Sequence, residues 1–151
     1  MNDFTNFFAY VIITVLNFGG ILMGNLRDER DMTIVKEYVT WDDVEEFVKW
    51  LADKTNNFEG FTGVYGPARG GVTYAAIISN RYNLPYLGAP TVGCICVDDI
   101  CDTGDTALAW KRKGYKIATH YYKKGAQVEP DFWLKTKDDK WIVFPWEKQE
   151  Y

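Results

Sequence analysis

Residues 92–106 read VGCICVDDICDTGDT: an apolar run, Val92 to Val97, then four carboxylates within eight positions, Asp98, Asp99, Asp102 and Asp105, and the step Thr103-Gly104-Asp105-Thr106. The run reads as a buried strand, and Thr106 to Lys113, closed by Gly114, as a helix. Acids crowded into so short a turn repel one another unless something positive or hydrogen-bonding sits among them. Adjacent acids at a strand end suit ribose hydroxyls and a magnesium ion. Thr103, Gly104 and Thr106 offer hydroxyls and bare amides at a helix start to a phosphate. A surface turn that merely caps a helix uses the same residue types; the strand-turn-helix setting favours a ligand.

Outward from this stretch the pattern alternates. Downstream, Tyr115 to Tyr122 reads as a strand. Upstream, Thr40 with Asp43 forms an acidic capping box, and Val44, Phe47, Val48 and Leu51 recur at helical spacing, so Trp41 to about Lys54 is predicted to be an amphipathic helix; a short alternating stretch, Lys36 to Val39, precedes it. Gly60 to Tyr65 reads as a buried strand, and Gly70-Gly71 leads into a helix from Val72 to Tyr82 that stops before Asn83-Leu84-Pro85. Helices alternating with strands imply an α/β fold with a mostly parallel central sheet flanked by helices. In such sheets ligands bind at the carboxyl ends of the strands, beside a topological switch point. Two unusual loops fall there: the acidic one, and Gly66-Pro67-Ala68-Arg69-Gly70-Gly71, whose glycines let amides approach an anion while Arg69 supplies a fixed charge.

The chain has 151 residues, 47% of them apolar and 17% aromatic, enough for a single packed core. A net charge of -4 gives no general attraction to nucleic-acid backbones, so nucleic acid is excluded as a main partner. Lys111, Arg112, Lys113 and Lys116 read as a solvated helix end. Three cysteines without CxxC spacing fit neither a disulfide framework nor a zinc site and imply a reducing cytoplasm. Cys94 and Cys96 read as small core residues on one strand face, and Cys101 as an exposed thiol beside the acidic loop. His120, the only histidine, is given no catalytic role. Residues 1–31 differ from the rest. Phe7 to Met23 is an almost uncharged run at the lower length limit for a bilayer helix, with Arg27 and Arg30 after it favouring a cytoplasmic placement of the remaining chain. Membrane anchor, mis-assigned start with translation from Met32, and packed accessory helix all stay open, and residues 32–151 form the domain proper.

The hydrophobic strand, paired acids, third acid and T-G-x-T resemble the phosphoribosyl pyrophosphate motif of the type I phosphoribosyltransferases, and GPARGG resembles that family's pyrophosphate loop, in which the peptide before the basic residue is often cis, here Ala68 to Arg69. Lys140 to Glu147, KWIVFPWE, narrows the likeness to microbial xanthine-guanine and hypoxanthine enzymes, as does YVTWDD at 38–43. The resemblance spans about Lys36 to Glu147. It implies that fold, with a small hood formed by the C-terminal segment, and transfer of a phosphoribosyl group to a 6-oxopurine in purine salvage. It also implies magnesium as cofactor and an oligomer, since relatives form dimers or tetramers. By the same likeness Asp98 and Asp99 hold ribose and metal, and Asp102 is the general base. Thr103, Gly104, Asp105 and Thr106 hold the 5-phosphate, while Ala68, Arg69 and Gly70 hold pyrophosphate, with Arg69 also catalytic. Trp141 stacks on the base, the Ile142 backbone reads its substituents, and Lys123 or Lys124 reaches the 6-oxo group.

Two departures stand out. Relatives place a long flexible loop before the acidic strand and close it over the site, whereas here only Gly88 to Gly93, GAPTVG, fills that interval. Asp105 stands where relatives have a small residue, bringing negative charge near the 5-phosphate. The missing lid admits a second function class, a regulator that binds phosphoribosyl pyrophosphate or a nucleotide without turnover. A third, a membrane-tethered interaction protein, rests on the leader alone.

Overall fold

The computed structural model describes residues 34–147, which fall within the second of two units, Ile34–Tyr151. The leader and its proposed span, Phe7 to Met23, lie outside the described residues. Among those residues no helix is long and apolar enough to cross a membrane.

The elements are β1 (Lys36–Tyr38), α1 (Trp41–Lys54), β2 (Val64–Tyr65), α2 (Gly70–Tyr82), β3 (Ile95–Cys101), α3 (Asp105–Arg112), β4 (Lys116–Lys123), β5 (Phe132–Lys137) and β6 (Trp141–Val143). Helix α1 starts where its capping box predicts. The Asp43 amide donates to Thr40 Oγ1 at 3.2 Å, and the Thr40 amide donates to Asp43 Oδ2 at 2.9 Å. Its stripe of Val44, Phe47, Val48, Leu51 and Ala52 is buried, as the spacing requires.

Strands β2-β3-β4-β5 form a four-stranded parallel sheet, and β1 pairs in parallel with β6 in a separate two-stranded sheet, so the C-terminal segment caps one end as expected of a hood. The connections locate the site. From β2 the chain passes through α2 to Tyr86, which bridges back to Val64 on the outer side of β2; from β3 it passes through α3 to β4, in the opposite direction along the sheet. Parallel crossovers are right-handed, so opposite steps place their helices on opposite faces. Tyr74, Ala75 and Ile78 of α2 accordingly pack with Ile95 and Val97 in one cluster, while Ala107 and Trp110 of α3 pack with Cys94, Cys96 and Ile117 in another. The switch point therefore lies between the carboxyl ends of β2 and β3.

Several boundaries differ from expectation. The strand read over Gly60 to Tyr65 shrinks to Val64–Tyr65: Gly60 has φ 83° and the Phe61 amide turns back to Phe58 O, so the turn that follows α1 runs into the expected start. The strand read over Val92 to Val97 begins only at Ile95. Gly93 turns at φ 82° and Val92 is 88% exposed. It then continues to Cys101 because β4 offers partners there, pairing Asp98 with Thr119, Ile100 with Tyr121 and Cys101 with Tyr122. Asp98 and Asp99 thus belong to a strand, not a loop. Cys101 is buried rather than exposed, its Sγ donating to Val128 O at 3.5 Å, and burial pushes its thiol up to about 11. Strands β5 and β6 have no signature in the periodicity; β5 is half-buried with lysines at alternate positions, a pattern that reads as polar.

His120 lies wholly inside, its Nδ1 at 2.6 Å from the Tyr74 hydroxyl and its ring stacked on Phe47 at 5.1 Å. Burial pushes its pKa down to about 3, so the ring is neutral at physiological pH. Of the basic residues in and after the last turn of α3, Lys116 and Lys111 lie 2.8 and 3.8 Å from Asp131.

Candidate active site

The two loops face each other across the switch point. Strand β3 delivers Asp98 and Asp99 against the start of α2, so closely that a Cβ on Gly70 would run into the Asp99 carboxylate. The Ala68–Arg69 peptide is cis, as the resemblance implied. Asp98 Oδ1 accepts from the Asp99 amide at 2.9 Å, and Asp99 Oδ1 from the Ile100 amide at 2.7 Å. These amides do not offset desolvation. Burial, with the charge of Asp99 second, pushes Asp98 up to about 8, and burial raises Asp99 too. Among the described residues neither carboxylate has a lysine or arginine within ion-pair distance.

The acidic loop itself is tightly built. Gly104 turns at φ 87°, and a Cβ there would lie 2.9 Å from the Gln127 amide nitrogen. That amide donates to Thr103 O at 2.9 Å and ties the loop to residues 126–128. Asp105 is exposed yet engaged. Its Oδ2 accepts from Thr103 Oγ1 at 2.9 Å and its Oδ1 from Gln127 Nε2, at the first turn of α3, where an anion suits the helix dipole. Asp102 lies one residue beyond β3 with Lys123 Nζ at 3.5 Å from Oδ1 and Lys137 Nζ at 3.7 Å from Oδ2.

Two cavities flank the acid pair. One of about 140 Å³ is lined by Asp98, Asp102, Thr103, Gly104, Asp105 and Thr106, backed by Trp110 and Thr119. The other, about 620 Å³, is lined by Arg69, Gly70, Asp99, Trp141, Trp146 and Glu147. Adjacent residues on a strand alternate in direction, so each acid serves one cavity. The structure therefore brings together most of the residues singled out in the sequence. Lys123 joins through Asp102, Ile142 is buried in β6, and Ala68 is exposed and lines neither cavity.

Among the lining or contacting residues to which the sequence reading gave no site role are Glu147, Trp146 and Lys137. Glu147 enters the larger cavity from the C-terminal segment, its carboxyl raised by burial and then by the charge of Asp99. Trp146 is fixed there by a stacked contact with Phe144 at 4.9 Å and an edge contact with Tyr74 at 5.3 Å. Lys137 comes from β5. The stretch KWIVFPWE holds the signal for the first two; nothing local flags Lys137.

No protein-family model matches the chain. A xanthine-guanine phosphoribosyltransferase of Idiomarina loihiensis is 27% identical over 138 residues, covering 73% of this chain and 86% of that protein. One of Vibrio parahaemolyticus is 24% identical over 137 residues, covering 74% and 89%. A purine phosphoribosyltransferase structure from Pyrococcus horikoshii superposes with TM-score 0.65 at 28% identity, covering 77% of this chain and 97% of that one.

The chain has the type I phosphoribosyltransferase fold.

A xanthine-guanine-hypoxanthine phosphoribosyltransferase from Helicobacter pylori shares that fold, with TM-score 0.61 at 20% identity over 74% of this chain and 94% of that one. Where the resemblance implies a flexible lid, this phosphoribosyltransferase fold carries the short link Gly88–Gly93, pinned at its base. Thr62 Oγ1 donates to Val92 O at 3.1 Å, the Thr62 amide to Gly93 O at 3.0 Å, and Tyr115 Oη to Pro90 O at 3.3 Å.

Proposed function

We propose that the chain transfers the 5-phosphoribosyl group of phosphoribosyl pyrophosphate to a 6-oxopurine, with release of pyrophosphate. The observation that carries this reading is the pair of half-buried acids, without a lysine or arginine at ion-pair distance among the described residues, set between a phosphate-sized cavity under a helix start and a larger one walled by Arg69 and two tryptophans. The bond from the anomeric carbon to pyrophosphate oxygen breaks, a bond to a purine nitrogen forms, and the proton of that nitrogen passes to Asp102. Thr103, Gly104 and Thr106 hold the 5-phosphate at the α3 start. Asp105 already occupies donors there, so phosphate must displace or share them. Arg69 balances the departing pyrophosphate, Trp141 at 59% exposure provides a face for the base, and the Ile142 backbone meets its edge.

Magnesium fits the donor set: Asp98 and Asp99 are hard oxygen ligands whose raised pKa values mark a site short of positive charge. When bound, the ion neutralises charge on the pyrophosphate.

The test is to mix protein, magnesium and phosphoribosyl pyrophosphate with hypoxanthine, guanine or xanthine and measure pyrophosphate. We expect release with at least one base. Asp102→Asn should then lower kcat by about 10²–10³ while phosphoribosyl pyrophosphate binding changes little. Tight binding with no release for any base favours the second reading, a regulator, which the pinned Gly88–Gly93 link supports, since an unclosed site leaves the sugar cation open to water.

A further inference from the structure

We propose that Lys137 is a positioning residue that holds the Asp102 carboxylate toward the base while Lys123 lets go of it to meet the 6-oxo group. This rests on the purine-transfer reading. The two lysines are register partners at the carboxyl ends of β4 and β5, and Asp102 comes directly after the end of β3, so three neighbouring strands deliver one acid and two cations to one spot. The ammonium groups take different oxygens, Lys123 facing Oδ1 and Lys137 facing Oδ2.

Their surroundings differ. The Lys123 side chain is 43% exposed and that of Asp102 51%, but Lys137 is only 11% exposed. An ammonium near water loses little when its ion pair opens, because solvent replaces the partner. A side chain packed along most of its length has few other positions for its ammonium, so it stays beside the partner it has. Among the described residues, Asp102 is the only carboxylate within ion-pair distance of Lys137, whose other polar contact is Asp138 O at 3.3 Å. Lys123 can therefore leave at small cost and Lys137 cannot. If a single lysine served both purposes, reaching the base would release the acid that must face the purine nitrogen. With two, orientation and recognition are separated.

Kinetics of the full chain with magnesium, phosphoribosyl pyrophosphate and the accepted base test the division. Lys137→Met should lower kcat by about 10–100-fold with the KM for the base within about twofold, and Lys137→Arg should recover most of the loss. Lys123→Met should instead raise the base KM by about tenfold. A Lys137→Met enzyme with unchanged kcat, one whose defect lies in KM, or an arginine variant no better than the methionine one overturns the proposal. Lys137→Gln with a circular-dichroism check replaces the methionine variant if that one does not fold.

A second measurement does not depend on turnover. Rates of lysine acetylation, read by mass spectrometry, should be slower at Lys137 than at Lys123, and Asp102→Asn should speed Lys137 by about fivefold or more while moving Lys123 less than twofold. Equal responses at the two lysines overturn the division of labour. An inactive wild-type protein with the unequal responses refutes purine transfer and the base-facing role built on it, but upholds the anchoring of Asp102.

Discussion

Asp98 with Asp99, half-buried, and Tyr74 with His120, wholly buried, are two polar pairs, and Tyr74 is near enough to the first for the charge of Asp99 to help raise its own pKa, after burial. The Tyr74–His120 pair closes on itself through one 2.6 Å hydrogen bond, and burial keeps the imidazole neutral, leaving only Nε2 without a partner among the described residues. The aspartates do the reverse. Two like-charged groups sit side by side with amide donors but, among the described residues, no cation, and their protons are held tightly as a result. Polar burial satisfied from within is structure; polar burial left wanting charge is where a ligand belongs.

The largest expected effect breaks the acid pair. Asp98→Asn with Asp99→Asn should lower pyrophosphate release by about 10³ or more, because the groups that hold sugar and metal are lost. The same variant should be more stable than wild type in chelator at neutral pH, by about 2 kcal/mol, and so melt higher, since the half-buried carboxylates no longer resist ionisation. Retained turnover, or a lower melting temperature, would put the acids with the core pair as structural residues.

Next comes the histidine. The unfolded ring titrates near 6.5 and the folded one at about 3, so between those values the unfolded chain binds more protons, and stability falls as pH drops through that window. Wild type should lose on the order of 3 kcal/mol between pH 6.5 and 3.5 from this group. His120→Phe keeps the stack on Phe47 and should flatten the dependence, measured by urea unfolding at stepped pH; an equally steep variant would remove the histidine as its source.

Legibility in the sequence divides along the same line. The acidic loop, GPARGG and the Thr40–Asp43 box are legible because each is local: spacing within a few residues already states the chemistry. Where β3 ends, that β5 forms at all, and that Lys137 meets Asp102 are set by pairing between distant strands, and FWLKTK looks polar until a neighbouring strand covers it. Glu147 lies in the stretch KWIVFPWE that the sequence singles out, but only the folded hood brings it beside Arg69. Cys101 reads as exposed only if the strand is ended at Val97, before β4 supplies its last partners.

The smallest effect sharpens the comparison most, because Tyr74 belongs to one pair and feels the charge of the other. Tyr74→Phe removes the hydroxyl and leaves His120 with neither nitrogen bonded, at a cost of about 1–2 kcal/mol in thermal stability. The ring stays, so its edge contact with Trp146 at 5.3 Å and hence the wall of the larger cavity stay too. If the core pair is structural, kcat and KM should each remain within about twofold of wild type while the melting temperature falls. If the hydroxyl reaches into the chemistry through Asp99, kcat falls out of proportion to stability. That outcome would join the two pairs into one network running from the core to the acids, and His120, given no catalytic role by its sequence position, would be its far end.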